Sequence, residues 1–256
     1  MRIATWNVNS LKARQDRVEE WLRLRDPDIL LMQETKLTDE TAPLMAFRMA
    51  GYELAHHGEG RWNGVAIASK QPATDISFGF EGTGPDAEGA RFVAATVDGI
   101  RNISVYAPNG RALGTPFYEA KLDWYRRLLA WLEANADASQ PLVLGGDLNV
   151  APTDLDVYDP NVYVGTTHTS APERDAFQKL LDWGLVEAYR RFHPEPGRFT
   201  WWDYRAGNFH KGLGMRIDHL LVTKPLAARL TGAEIDRDAR KGKLPSDHAP
   251  MWIDLA

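Results

Sequence analysis

Short unbroken apolar runs alternate along this chain with longer stretches of helical periodicity. Residues 2–8 alternate well enough for a strand. From Ser10 an amphipathic segment sets Leu11, Val18, Trp21 and Leu22 on one face and charged residues on the other, ending before Asp26-Pro27. Residues 28–33 read as a buried strand that delivers Glu34 at its end. A helix at about 39–49 leads to a strand over 52–55, and 64–68, 90–97 and 100–106 are strand-like. The longest helical pattern runs over 114–135, with Leu122, Tyr125, Leu128, Leu129 and Leu132 on its apolar stripe. A buried strand follows at 141–146, then an Asp-, Pro- and Asn-rich loop at 149–169, a helix at 172–183, and strands near 216–223 and 250–255.

This order is neither strict βαβ alternation nor all-β, and it fits two packed sheets with helices outside. One domain over 1–256 is expected, since no linker, low-complexity tract or fixed-period repeat interrupts the chain. Each half does place a buried strand before an acidic cluster, Gln33-Glu34 and Gly146-Asp147, a hint of internal symmetry.

Composition narrows this picture. Hydrophobic residues at 44% and charged residues at 25% are ordinary for a globular protein. The absence of cysteine excludes disulfides and zinc-thiolate sites. No apolar run is long enough to span a bilayer and no secretory leader is evident, so a cytoplasmic protein is expected. The net charge of -5 argues against a general nucleic-acid binder, although an acidic metal site would itself lower the charge. Any face for DNA would then be local, drawn from Lys12, Arg61, Arg111, Arg205, Lys211, Lys241 and Lys243.

The chemistry sits where the apolar runs end: Trp6-Asn7-Val8-Asn9, Gln33-Glu34-Thr35-Lys36, Tyr106-Ala107-Pro108-Asn109, Gly146-Asp147-Leu148-Asn149, Arg216-Ile217-Asp218-His219 and Ser246-Asp247-His248. Strands can gather such ends at one sheet edge. Carboxylate and amide oxygens with one late imidazole suit a hard divalent cation and a phosphate, which points to metal-assisted phosphodiester hydrolysis. Glu34 beside Asn7 is the obvious ligand, and a carboxylate at a buried strand end needs a partner charge. Asp147 and Asn149 would point the same way in extended backbone and so orient a water; an Asx-turn after the strand is an equal reading. Ser246-Asp247-His248 is no serine-hydrolase triad, because adjacent residues cannot relay to one another and no Gly-x-Ser-x-Gly elbow exists. His248, with Asp218 as a candidate to hold its second ring nitrogen, would stabilise charge on phosphorus. The remaining histidines read as surface residues.

These motifs, from residues 6–14 to 245–250 and with Asn63–Ala66 and Phe199–Trp202 between, resemble the exonuclease III / AP endonuclease family of the endonuclease/exonuclease/phosphatase superfamily. The resemblance implies a four-layer αββα sandwich of the DNase I-like kind and Mg²⁺-dependent hydrolysis of DNA, with Mn²⁺ as a substitute. Carried over by motif, Asn7, Glu34 and Asp247 would bind metal, and Tyr106 and His248 would contact the scissile phosphate. Asp147 and Asn149 would set the water, and Asp218 would orient His248. The resemblance leaves the base open between Asp147 and His248. A tyrosine at 106, where phosphatase branches carry histidine, favours the repair branch. Trp201, Met215 and Ile217 would line a pocket for a flipped abasic sugar, Arg111 and Arg205 would be groove wedges, and Lys12, Arg61, Trp62 and Asn109 would lie along the DNA. The implied function is a monomeric DNA-repair nuclease acting on double-stranded DNA, cutting 5′ to abasic sites and trimming 3′ ends. A phosphomonoesterase or RNA-directed enzyme of the same superfamily, and a non-catalytic DNA-binding relative, are the alternatives.

Overall fold

The computed structural model describes residues 1–80 and 89–256. Two six-stranded sheets pack face to face and carry helices on their outer faces. The first sheet has strands β1 (Arg2–Asn7), β2 (Ile29–Gln33), β3 (Glu53–His57), β4 (Val65–Ser69), β11 (Leu230–Ile235) and β12 (Met251–Leu255), in the order β11-β12-β1-β2-β4-β3. The second has β5 (Thr74–Phe78), β6 (Phe92–Val97), β7 (Ile100–Tyr106), β8 (Leu142–Asp147), β9 (Leu185–Glu187) and β10 (Asp218–Thr223), in the order β5-β6-β7-β8-β10-β9. Helices α1 (Leu11–Arg25) and α2 (Leu44–Met49) cover the first sheet, and α3 (Pro116–Asn135) and α4 (Ala171–Trp183) cover the second. The four-layer αββα arrangement is the expected one.

Alternation explains the unbroken apolar runs. On β2, Ile29 and Leu31 face the core between the sheets, while Leu30 and Met32 face α1. On β8, Val143 faces the inter-sheet core and Leu142 and Leu144 face α3 and α4. A strand buried on both faces has no polar side to show.

Four expectations change in detail. The helix at 39–49 is broken: Asp39–Thr41 is a 3-10 turn, Ala42 is extended and α2 starts only at Leu44. Pro43 disfavours helical backbone in the residue before it. The long helix begins at Pro116, with Thr115 accepting from the Tyr118 N–H as its cap. Its buried stripe is Lys121, Trp124, Tyr125, Leu128, Trp131 and Leu132, with Leu122 and Leu129 only partly covered. Finally β5, β9 and β11 carry no sequence expectation; they are edge strands, short or half exposed, with little apolar periodicity.

The hint of symmetry is real but pairs different strands. Read outward, β3-β4-β2-β1-β12-β11 and β5-β6-β7-β8-β10-β9 have the same sequence of pairing senses, with one parallel pair in the third step of each. This equates β1, not β2, with β8, and so Asn7 with Asp147. Val8 and Leu148 follow, and then Asn9 and Asn149. Both asparagines are left-handed (φ 44° and 51°), and each donates its backbone N–H to the side-chain oxygen two residues back, at 3.0 and 2.9 Å. The same Asx-turn closes both strands.

Candidate active site

The parallel pairs β1/β2 and β7/β8 end side by side, so Asn7 lies beside Gln33 and Tyr106 beside Asp147. Antiparallel β10 starts opposite Asp147, at Asp218. Gly146 makes the close approach possible: a Cβ there would fall 1.9 Å from the Val105 carbonyl oxygen. The segment before β12 is tied in by Ser246, whose hydroxyl donates to the Asn7 carbonyl at 2.7 Å and accepts from the His248 N–H at 3.2 Å. The Trp6 indole donates to the His248 carbonyl at 3.2 Å. Six chain segments thus converge on one edge.

Asn7, fully buried, donates from one amide nitrogen to Glu34 Oε1 at 2.8 Å and to Asp147 Oδ2 at 3.0 Å. Its own oxygen accepts the Asn9 N–H of the Asx-turn at 3.0 Å, while its amide nitrogen bridges the two carboxylates. The other Glu34 oxygen pairs with Lys36 at 2.9 Å. The Tyr106 phenol lies near the Glu34 carboxylate, and its ring lies under the Arg91 guanidinium at 4.5 Å. Burial first, then the charges of Glu34 and Asp147, holds the phenol pKa well above its ordinary value, so Tyr106 keeps its proton.

His248 Nδ1 sits 2.8 Å from Asp218 Oδ2, and its Nε2 lies 3.7 Å from Asp147 Oδ2. Burial alone would lower the imidazole pKa. The Asp218 and Asp147 carboxylates outweigh it and push the value up to about 10, so His248 is a cation. Asp147 moves up to about 7, through burial and then repulsion by Asp218 and Glu34, against the pull of His248 and Asn7. Asp218 Oδ1 is buried with no hydrogen-bond partner.

Ligand atoms of Glu34, Asp147 and His248 lie within 4.8 Å of one another, a group able to hold a metal ion. The donor chemistry fits a hard divalent cation: a half-buried and a buried carboxylate held together against their own repulsion. Glu34 and Asp147 would hold it. The protonated His248 would instead face the phosphate. Asp247, expected among the ligands, directs its oxygens elsewhere, to Asn9 Nδ2 at 2.9 Å and the Trp201 indole at 3.1 Å. His248 turns instead to Asp218 and Asp147, so the two neighbours part company.

Asp147 and Asn149 do meet, by the Asx-turn reading and not by extended backbone. Asn149 Nδ2 donates to the Ala107 carbonyl at 2.9 Å, while its Oδ1 has only a long 3.4 Å contact from Asn109. Trp201, Met215 and Ile217 gather with Ala151, Val157 and Tyr163 in a small apolar cluster beside the site. Arg111 is exposed and stacked on Phe117 at 3.6 Å, and Trp62 is 62% exposed beneath Arg61 at 4.8 Å. Lys12 is exposed on α1. Arg205 is folded back on Asp203, making a 2.8 Å ion pair. Reading the sequence missed Asn9, which links Lys36 to Asp247, and Lys121, Glu173 and His168 behind Asn149.

The sequence matches the description "Endonuclease/Exonuclease/phosphatase family" over residues 4–248. The chain belongs to that family. Exodeoxyribonuclease III of Haemophilus influenzae is 35% identical, with all of both chains covered. An AP endonuclease from Archaeoglobus fulgidus superposes with a TM-score of 0.96 at 38% identity, covering 100% of this chain and 99% of the other. A 3′ phosphatase from Neisseria, bound to a product DNA hairpin, gives 0.96 at 41% identity and the same coverage. The site therefore lies within a family fold matched over nearly its full length. No helix among the described residues is long and apolar enough to cross a membrane.

Proposed function

We propose that this chain is a Mg²⁺-dependent DNA-repair nuclease. It hydrolyses the phosphodiester 5′ to abasic sites and removes nucleotides or blocking groups from 3′ ends, as a single-domain cytoplasmic monomer, with Mn²⁺ able to replace Mg²⁺. The observation that carries this reading is the placement of His248, held by Asp218 at 2.8 Å and facing the Asp147 carboxylate across 3.7 Å with Glu34 beside them. An anionic substrate meets a cation there, next to a carboxylate poised near neutrality.

In this reading Asp147, with its pKa pushed up to about 7, accepts a proton from the attacking water. Asn149 Oδ1, free of any short bond, orients that water. The water oxygen bonds to phosphorus, the P–O3′ bond breaks, the 3′ oxygen leaves as a hydroxyl on taking a proton from solvent water, and Asp147 returns its proton to solvent. His248 Nε2–H and the Tyr106 phenol donate to the phosphate oxygens as charge builds on them. A bound divalent cation supplies Lewis-acid neutralisation of the same charge. Trp201, Met215 and Ile217 receive the flipped sugar, and Arg111, Lys12, Trp62 and Asn109 follow the strand.

The relatives' names divide between cutting at abasic sites and working at 3′ ends. A second reading is thus a 3′-phosphomonoesterase that leaves internal abasic sites alone. The test uses 5′-labelled duplexes carrying a central abasic analogue, a 3′-phosphate at a nick, or no lesion, each with Mg²⁺, Mn²⁺ or EDTA. A single metal-dependent cut at the lesion supports the first reading. Loss of the 3′-phosphate with the abasic duplex intact establishes the second, and no reaction on any of them sinks both.

A further inference from the structure

Lys121 lies on the apolar stripe of α3 and is fully buried. Its ammonium donates to the Asn149 carbonyl at 2.7 Å, the Asn109 carbonyl at 3.3 Å, Thr167 Oγ1 at 3.4 Å and Glu173 Oε1 at 2.5 Å. Glu173 is saturated in turn: Oε1 also accepts from Thr167 Oγ1 (2.7 Å) and the His168 N–H (2.9 Å), and Oε2 from the Ser170 N–H (3.1 Å) and hydroxyl (2.6 Å). The second lone pair of the Asn149 carbonyl is occupied by His168 Nδ1 at 2.7 Å. The backbone presses close, since a Cβ on Gly110 would come within 2.9 Å of Lys121 Cδ and of Thr167 Oγ1.

An ion pair buried in this way is a poor means of stabilising a core, where apolar residues of the same volume do as well or better. What the ammonium adds is several donors directed at once to carbonyls of two separate loops. Those loops carry Asn109 and Asn149, the amides next to Asp147. Fixing the Asn149 carbonyl fixes the peptide that follows Asn149, and so the ψ angle of the left-handed residue that ends the Asx-turn. We propose that Lys121 is a positioning residue for hydrolysis: from behind the second sheet it locks the Asn109 and Asn149 backbones, and so the direction in which the Asn149 amide meets the water. The inference rests on the nuclease reading for the role of Asn149, but its geometry is testable without it.

The first measurement uses the unmodified chain and NMR exchange of the Asn149 side-chain amide. Exchange at least about tenfold slower than a free asparagine amide is expected, and exchange at the free rate overturns the proposal whether or not the chain cuts DNA. The second uses Lys121→Met with Glu173→Gln, which removes both charges together. Expected are loss of that protection, a fall in kcat of roughly 10- to 100-fold, and a KM for DNA changed by less than about threefold. A folded double variant with full kcat and full protection overturns the proposal. Because the natural chain has no cysteine, Lys121→Cys can also be alkylated while unfolded and then refolded. An aminoethyl group restores an ammonium and should restore kcat, and a propyl group should not. Equal activity of the two refolded products would reduce Lys121 to a space-filler.

Discussion

His248 Nδ1 and Asp218 Oδ2 meet at 2.8 Å, although the histidine precedes β12 of one sheet and the aspartate opens β10 of the other. This hydrogen bond, like the one from Asn7 to Asp147, spans the two sheets at the site. Replacing Asp218 by Asn should lower kcat by about 10²–10⁴-fold with the fold intact. The same variant should bring the His248 pKa down from about 10, because a flanking negative charge is gone. Following the His248 ring protons by NMR across pH 5–10 checks this; an unmoved titration would mean that Asp218 does not set its charge.

Asp147→Asn should abolish cleavage and yet stabilise the metal-free protein. A folded pKa of about 7 against an ordinary value of 3.8 means that folding disfavours the ionised carboxylate. The cost is absent below about pH 4, grows through the interval and is complete above pH 7. Thermal melts in EDTA should show the variant gaining on the parent from pH 4 to pH 8. A lower melting temperature for the variant at pH 8 would contradict the burial argument.

Acid should unfold the protein through a different cluster. Buried Arg216 pairs with Asp156 and with Glu187, each at 2.8 Å, and Arg190 also pairs with Asp156. Burial would raise both carboxyl pKa values, but Arg216 overrides it and holds each at about 2. Depressed values contribute stability above the unfolded pKa near 4 that is lost as pH falls toward 2, of order 2–3 kcal/mol for each group. Urea midpoints at pH 6, 4 and 3 should fall in that order, and Arg216→Met should flatten the dependence while lowering stability throughout.

Removal of divalent cations should stop cleavage, with recovery on adding Mg²⁺ or Mn²⁺. Glu34→Gln should raise the Mg²⁺ concentration for half-maximal rate by roughly 10- to 100-fold. Isothermal titration with Mn²⁺ separates lost binding from lost chemistry. Unchanged binding in the variant would remove Glu34 from the metal site.

The strands buried on both faces were legible because they leave no room for polar residues, as in β2 and β8. Edge strands such as β9 and β11 were not, since they pack on one side and take whatever suits water on the other. Asp147, Asn149, Asp218 and His248 come together at the edge that their positions after apolar runs indicated. The reason was only half legible: Asp147 and Asn149 meet through a left-handed turn, which Asp-x-Asn permits but does not dictate. Asp247 shows the limit of neighbourhood in sequence, for its carboxylate turns to Asn9 and Trp201. Lys121 has no place in the apolar stripe expected from the sequence, although the structure buries it there. Its position three, four and seven residues before Trp124, Tyr125 and Leu128 was the available signal, because a lysine in phase with an apolar stripe has to be buried with a partner.

The paired Asx-turns bear on direction. A DNA strand runs one way, and a scaffold of perfect two-fold symmetry would offer the same face to a strand running either way. The two halves of this fold repeat each other down to the turns after β1 and β8, and at their centre an amide, Asn7, stands where the other half has a carboxylate, Asp147. That exchange of NH₂ for O⁻ breaks the equivalence between the two approaches. Gln33 and Tyr106, paired in register beside Asn7 and Asp147, differ as well, so the two halves share a backbone turn but not a charge pattern.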